Sequence, residues 1–219
     1  MNIHPETTVG RIATEHPLAT RVFARHGIDF CCGGGKPLAE VCQRRGLDVA
    51  SVVAEIEREL AEPDSAEGRW DQAPLADLID HIVSSYHRPL KTELPRLEAL
   101  ARKVVDVHRD KRPELLSVFL GLKTELEQHM GKEELILFPM IKRGQGALAG
   151  GPVSVMEHEH DVAGNALERM RELTDDFRVP AEACNSWRAL WHGLAALERE
   201  MHQHIHLENN ILFPRALAS

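Results

Sequence analysis

The segment His129–Pro139, HMGKEELILFP, returns as HIHLENNILFP at His204–Pro214. Each copy carries a His, a Glu four positions later and a closing Phe-Pro pair. Residues four apart on a helix share a face, so each copy directs an imidazole and a carboxylate the same way. That donor pair suits a borderline transition metal. The duplication implies two metals, or one site built symmetrically.

Both copies close long amphipathic stretches. Four such stretches are expected: Leu75 to Val107, bent at Pro89 and Pro95 where a backbone donor is lost; Pro113 to Lys142; Val153 to Asp175; and Pro180, as a helix opener, to Ala216. Four long helices with short loops predict an all-α, up-down-up-down four-helix bundle. On the last helix Leu190, Leu194, Leu197, Met201, His204, Glu208 and Ile211 follow at steps of four and three, the inward seam of a bundle helix. The second gives Leu122, Leu126, His129, Glu133, Ile136 and Met140; the third gives Val153, Met156, His160, Ala163, Leu167 and Met170; the first gives Val83, His87, Leu90, Leu94 and Leu97. Counted from the helix ends at about 1.5 Å per residue, His87, His129, His160 and His204 lie at depths that agree to roughly 9 Å. One layer can hold all four, with Glu133 and Glu208 a turn nearer the common end, placed to bridge two metals.

A lone core His is more often a hydrogen-bonded packing residue than a ligand. Four in one layer with two buried carboxylates differ, because an unpaired buried carboxylate costs several kcal/mol and the seams otherwise offer only apolar side chains. Iron fits this thiolate-free donor set best, then manganese, then zinc. Six protein ligands on two metals leave positions for an oxo or hydroxo bridge and a small molecule. Glu125 and Glu159 neighbour ligands along their helices and are candidates to hold an imidazole or line an access route, a solvated face being the plain alternative. His108 lies about six turns from His87, and His81, His158, His202 and His206 fall off the seams, which points to surface or supporting roles.

The 219 residues, with a net charge of -8, show no basic surface for nucleic acid. No apolar run reaches the roughly 18 residues of a membrane span, and MNIHPETTVG lacks the basic and apolar parts of a signal peptide; a cytoplasmic protein is expected. Residues 1–62 read as a small helical domain: Thr8 caps a helix to Glu15, Pro17 opens one ending before Gly27, Pro37 starts one stopped by Gly46, and Asp48 caps one to about Leu60. The polar stretch 63–73 is a linker, and the bundle occupies 74–219. Within the small domain, adjacent Cys31 and Cys32 precede three Gly. They suit thiol–disulfide exchange or transient iron holding, or simply small apolar packing at a turn. Cys184 is expected to be structural.

Asp29-Phe30-Cys31-Cys32-Gly33-Gly34, Tyr86-His87, His129-Met-Gly-Lys-Glu133, Glu159-His160-Asp161 and His204-Ile-His-Leu-Glu-Asn-Asn210 together resemble the di-iron proteins of iron-sulfur cluster repair, the repair of iron centres family, over nearly the whole chain. The resemblance implies a haemerythrin-like bundle behind a Cys-containing N-terminal domain, with two non-haem irons, oxo- or hydroxo-bridged when oxidised, held by His87, His129, His160 and His204 and bridged by Glu133 and Glu208. It further implies repair of clusters damaged by nitric oxide or oxidative stress, by iron donation or nitric oxide binding. Damaged iron-sulfur proteins or cluster-assembly scaffolds would be the partners and nitric oxide or oxygen the small ligand, with a homodimer left open. Two other readings remain at this point: reduction of nitric oxide to nitrous oxide at the same centre, and an oxygen or nitric oxide sensor without chemistry.

Overall fold

The computed structural model describes residues 3–61, 69–108 and 113–219. Among them there is no β-strand, and no helix is long and apolar enough to cross a membrane. Four short helices come first: α1 (Val9–Glu15), α2 (Ala19–Arg25), α3 (Leu38–Arg45) and α4 (Val49–Ala61). Their limits follow local chemistry. The Thr8 hydroxyl accepts from the Arg11 amide, Asp48 accepts from the Ser51 amide at 3.0 Å, and Gly46 ends α3 at φ 67°, a backbone that favours glycine. Ile12, Val22, Phe23, Phe30, Leu38 and Ile56 form a buried core of their own. The linker expected at 63–73 lies mostly outside the described residues; its last part is held by Arg215, which donates to the carbonyls of Trp70 and Ala73 at 2.8 and 2.6 Å.

The bundle is built from α5 (Leu75–Ile82), α6 (Arg88–Val107), α7 (Pro113–Lys132), α8 (Phe138–Lys142), α9 (Gly150–Leu173), α10 (Asn185–Leu207) and α11 (Phe213–Leu217). Turns of π-helix at Val83–His87, Glu133–Leu137 and Glu208–Leu212 join α5 to α6, α7 to α8 and α10 to α11. These replace the smooth or proline-bent helices expected from sequence. Each π-turn is followed at its second residue by proline: Pro89, Pro139 and Pro214. Proline has no N–H to give and its ring crowds the carbonyl four residues back; a wider turn relieves both constraints. Pro95, by contrast, sits inside α6.

The π-turn also explains a wrong assignment on the second seam. Ile136 and Met140 were expected to point inward, but Ile136 is exposed while Leu137 and Ile141 are buried, because the five-residue turn advances the register by one. The last helix also differs from expectation: it starts at Asn185 rather than near Pro180, after a turn at 181–182. The seam of α9 is buried as expected, at Val153, Met156, His160, Ala163, Leu167 and Met170. Cys184 is exposed at the N-terminus of α10 and is not a core residue.

Close helix packing runs α10 to α6, α6 to α7 and α7 to α9. On the remaining side, between α9 and α10, lies the Cys31-Cys32 loop. Cys31 belongs to the bundle's buried core, and Cys32 Sγ lies 3.5 Å from the His160 carbonyl on α9. From the α10 side, Asn210 Nδ2 donates to the carbonyls of Phe30 and Cys31 at 3.3 and 3.2 Å. Its Oδ1 fills the space that β-carbons on Gly10 and Gly34 would need, which gives these glycines a packing role.

Candidate metal centre

The three π-turns place the buried carboxylates and one imidazole. His87 ends the first, Glu133 begins the second and Glu208 begins the third. His129 and His204 precede their Glu by four residues on α7 and α10, and His160 projects from α9. The six sequence-predicted residues converge, all of them buried. They fall into two overlapping sets, His87, His204, Glu133, Glu208 and His129, His160, Glu133, Glu208, within each of which the nearest ligand atoms lie inside 4.8 Å. Glu133 and Glu208 belong to both.

In each set the imidazoles meet nitrogen to nitrogen: His87 Nε2 is 3.1 Å from His204 Nε2, and His160 Nε2 is 3.0 Å from His129 Nε2. Glu208 Oε1 is 2.9 Å from His204 Nε2 and its Oε2 3.2 Å from His160 Nε2, while Glu133 Oε2 is 3.3 Å from His129 Nε2 and 3.4 Å from His87 Nε2.

The opposite nitrogens decide what faces inward. His87 Nδ1 donates to Glu134 Oε1 at 2.8 Å, His129 Nδ1 to Glu159 Oε2 at 3.0 Å and His160 Nδ1 to Asn209 Oδ1 at 2.7 Å. Lys91 and Lys132 pair with Glu134 and Glu159 and hold them in place. Burial alone would raise both carboxyls, but the lysines and the imidazoles keep them below the usual carboxylate range. An imidazole that donates from Nδ1 presents a lone pair at Nε2 when neutral. Three of the four rings are therefore preset as metal ligands. Rings also pack on them: Phe138 on His87, Phe213 on His160 and Tyr86 on His204, at centroid distances of 5.6, 6.1 and 5.4 Å. The Phe of each Phe-Pro pair thus buttresses a ligand from another helix.

Such an arrangement fits a metal and is poorly satisfied without one. Neither Glu133 oxygen has a hydrogen bond, although both are buried, and Glu208 Oε2 is in the same state. Two lone pairs at 3.0 Å repel unless a cation lies between them. Two imidazoles at right angles on one ion, each bonded at about 2.1 Å, would stand about 3.0 Å apart. The protons drawn to the site act as stand-ins for that cation. Burial opposes charge on His87 and His160, yet the carboxylates outweigh it and lift them to about 10 and about 9. Burial would likewise raise Glu208, but His204, His160 and His87 hold it well below the ordinary range.

Of the two supporting carboxylates expected from sequence, Glu159 holds His129. Glu125 is exposed on α7 and touches no ligand, since the acceptors reach across from neighbouring helices. Glu134 and Asn209 were missed in that role; each directly follows a Glu common to both donor sets, which was the available signal. His206 is buried, with its ring 5.5 Å from Phe30 and burial pushing it down to about 4, so it packs neutral against the Cys loop. His108 lies at the far end of the bundle beside Trp187.

A helical bundle with paired His/Glu clusters defines a class, and the chain belongs to it: the hemerythrin HHE cation binding domain matches residues 78–216. Residues 5–60 match the ScdA_N domain, whose function is not defined. Within that class the chain belongs to the family of the iron-sulfur cluster repair protein YtfE. It is 48% identical to the protein of that name from Musicola paradisiaca, over 97% of this chain and 96% of the relative. It is 44% identical to that of Pectobacterium atrosepticum, over 97% of each chain, and 46% identical to that of an Escherichia coli O81 strain over 213 residues.

Proposed function

We propose that the chain repairs damaged iron-sulfur clusters by holding two non-haem irons, one between His87 and His204 and the other between His129 and His160, with Glu133 and Glu208 shared, and by giving up iron to a damaged protein. The observation that carries the reading is the pair of overlapping donor sets, whose two common carboxylates have buried oxygens without hydrogen bonds. The name of the relatives supports cluster repair as the use of that centre.

Bound iron supplies a redox-active, exchangeable cation with ligand positions beyond those of the protein. The chain's own residues do the rest. Glu134, Glu159 and Asn209 fix three ring orientations and keep the Nε2 lone pairs aimed inward. Phe138, Phe213 and Tyr86 exclude water from the faces of the rings. A neutral imidazole and a carboxylate are ligands that protons can displace, which suits a centre that must release what it holds.

The test pairs metal content with repair. The iron-loaded chain should restore a cluster enzyme inactivated by iron loss while itself losing iron, and His129→Ala and Glu208→Ala should contain less iron and restore less. Equal recovery with the iron-free chain would exclude donation from this centre.

A further inference from the structure

A cleft of about 1630 Å³ separates the small N-terminal unit from the bundle. On its wall three unlike donors meet: the Asp29 carboxylate, Cys31 Sγ and the His202 imidazole, with one ligand atom of each inside 4.8 Å of the others. Asp29 and Cys31 come from the loop after α2, and His202 from α10. The set therefore exists only while the two units are docked.

Asp29 is held firmly. Its Oδ1 accepts from the Cys31 and Cys32 amides at 3.0 and 3.1 Å, and its Oδ2 from the Gly33 amide at 2.8 Å. The Cys31 thiol also donates to Oδ1, at 3.2 Å. Thiol and carboxylate thus share one hydrogen in a place where a cation would serve both. Cys32 Sγ lies 3.8 Å from Cys31 Sγ, within reach as a further soft donor. The His202 ring packs 6.0 Å from Phe30, which fixes it beside the loop. Simple core packing accounts for the burial of Cys31. It does not account for a carboxylate and an imidazole gathered around its sulfur.

We infer that Asp29, Cys31 and His202 form a third cation site, built across the interface between the two units, for one borderline divalent ion of the Fe2+ or Co2+ type. On binding, the Cys31 S–H bond breaks, its proton leaves to solvent, and the sulfur keeps the electron pair with which it binds the ion; no electron changes hands. A thiolate, a carboxylate and an imidazole match that class of metal. The site stands on its own donors. Its use as a station for iron leaving the bundle rests on the repair reading above.

The experiment uses the full chain with its bundle centre loaded with iron, titrated anaerobically with Co2+. One further equivalent should bind with a thiolate-to-cobalt charge-transfer band in the near ultraviolet, and X-ray absorption at the cobalt edge should show a sulfur neighbour. Cys31→Ser should abolish the band. His202→Ala should weaken binding at least about tenfold, the least that loss of a ligand costs when even its supporting partners are worth that much. Cys184→Ser should leave the band unchanged, and thermal melting of each variant confirms its fold. Absence of a sulfur neighbour in the wild type, or a band that survives both Cys31→Ser and His202→Ala, overturns the site. The band should persist in His129→Ala; its loss there would assign it to the bundle centre and likewise overturn the proposal. A chain that keeps the band but restores no damaged enzyme would exclude the repair reading and leave the cation site supported.

Discussion

The thiol of Cys32 donates to the main-chain carbonyl of His160, 3.5 Å away, so a cysteine of the N-terminal unit touches the backbone of a proposed metal ligand. The neighbouring contact is stronger. Asn210 clamps the same loop through two carbonyls. Replacing Asn210 by Ala removes both of these bonds at the interface, at a cost of about 1–3 kcal/mol. The expected result is faster iodoacetamide labelling of Cys31, read by mass spectrometry, together with easier loss of iron to a chelator. Unchanged labelling would mean that Asn210 does not hold the loop.

Supporting carboxylates should control affinity without being ligands. Glu159→Ala and Glu134→Ala remove the acceptors of His129 and His87, and metal affinity should fall about 10- to 100-fold. Glu125→Ala, on an exposed face, should bind metal like the wild type. Competition with a chromophoric chelator measures all three.

Glu133 is buried against the imidazoles of His87 and His129, and without metal its charge helps to hold a proton on His87. Removing one partner of a buried ion pair leaves the other uncompensated. Metal-free Glu133→Leu should therefore be less stable than the metal-free wild type, by up to about 3–5 kcal/mol, while iron loading falls. Denaturant melts with and without metal provide the check; a stabilised metal-free variant would contradict this account of the site.

Cys184 provides a pH test away from the metal centre. His108 Nε2 lies 3.7 Å from its sulfur and, with local amides, brings the thiol down to about 7. The thiolate is the reactive form, so alkylation of Cys184 should rise with pH and reach half its maximum near 7. In His108→Ala the midpoint should move upward. Cys31 is pushed in the opposite direction, well above the ordinary thiol range, by its hydrogen bond to Cys32 and by burial; it should label slowly across the same interval.

The bundle and the inner ring of donors were legible because they depend on spacing alone. His204 and Glu208, four apart on one seam, keep their face whatever the neighbouring helices do. Ile136 was misassigned because a π-turn is an exchange of one hydrogen-bond register for another, and only Pro139 signals it. Glu134 serves His87 from a different helix; that pairing depends on how α6 and α7 are rotated against each other, which periodicity does not encode. The same holds for His202, which an isolated helix would place on an outer face. It becomes part of a wall only because the Cys31-Cys32 loop lies against the side of the bundle between α9 and α10.

Glu208, Asn209 and Asn210 follow one another at the start of a single π-turn, where the first faces the metal centre, the second steadies His160 and the third grips the Cys loop. Metal occupancy and the grip between the two units are thus written on the same backbone. Whatever free energy the metal contributes to the shape of this turn is returned as tighter docking, and docking strengthens metal binding by the same factor, as thermodynamic reciprocity requires. A client that pulled the N-terminal unit away would loosen the metal by the amount that the metal had tightened the joint.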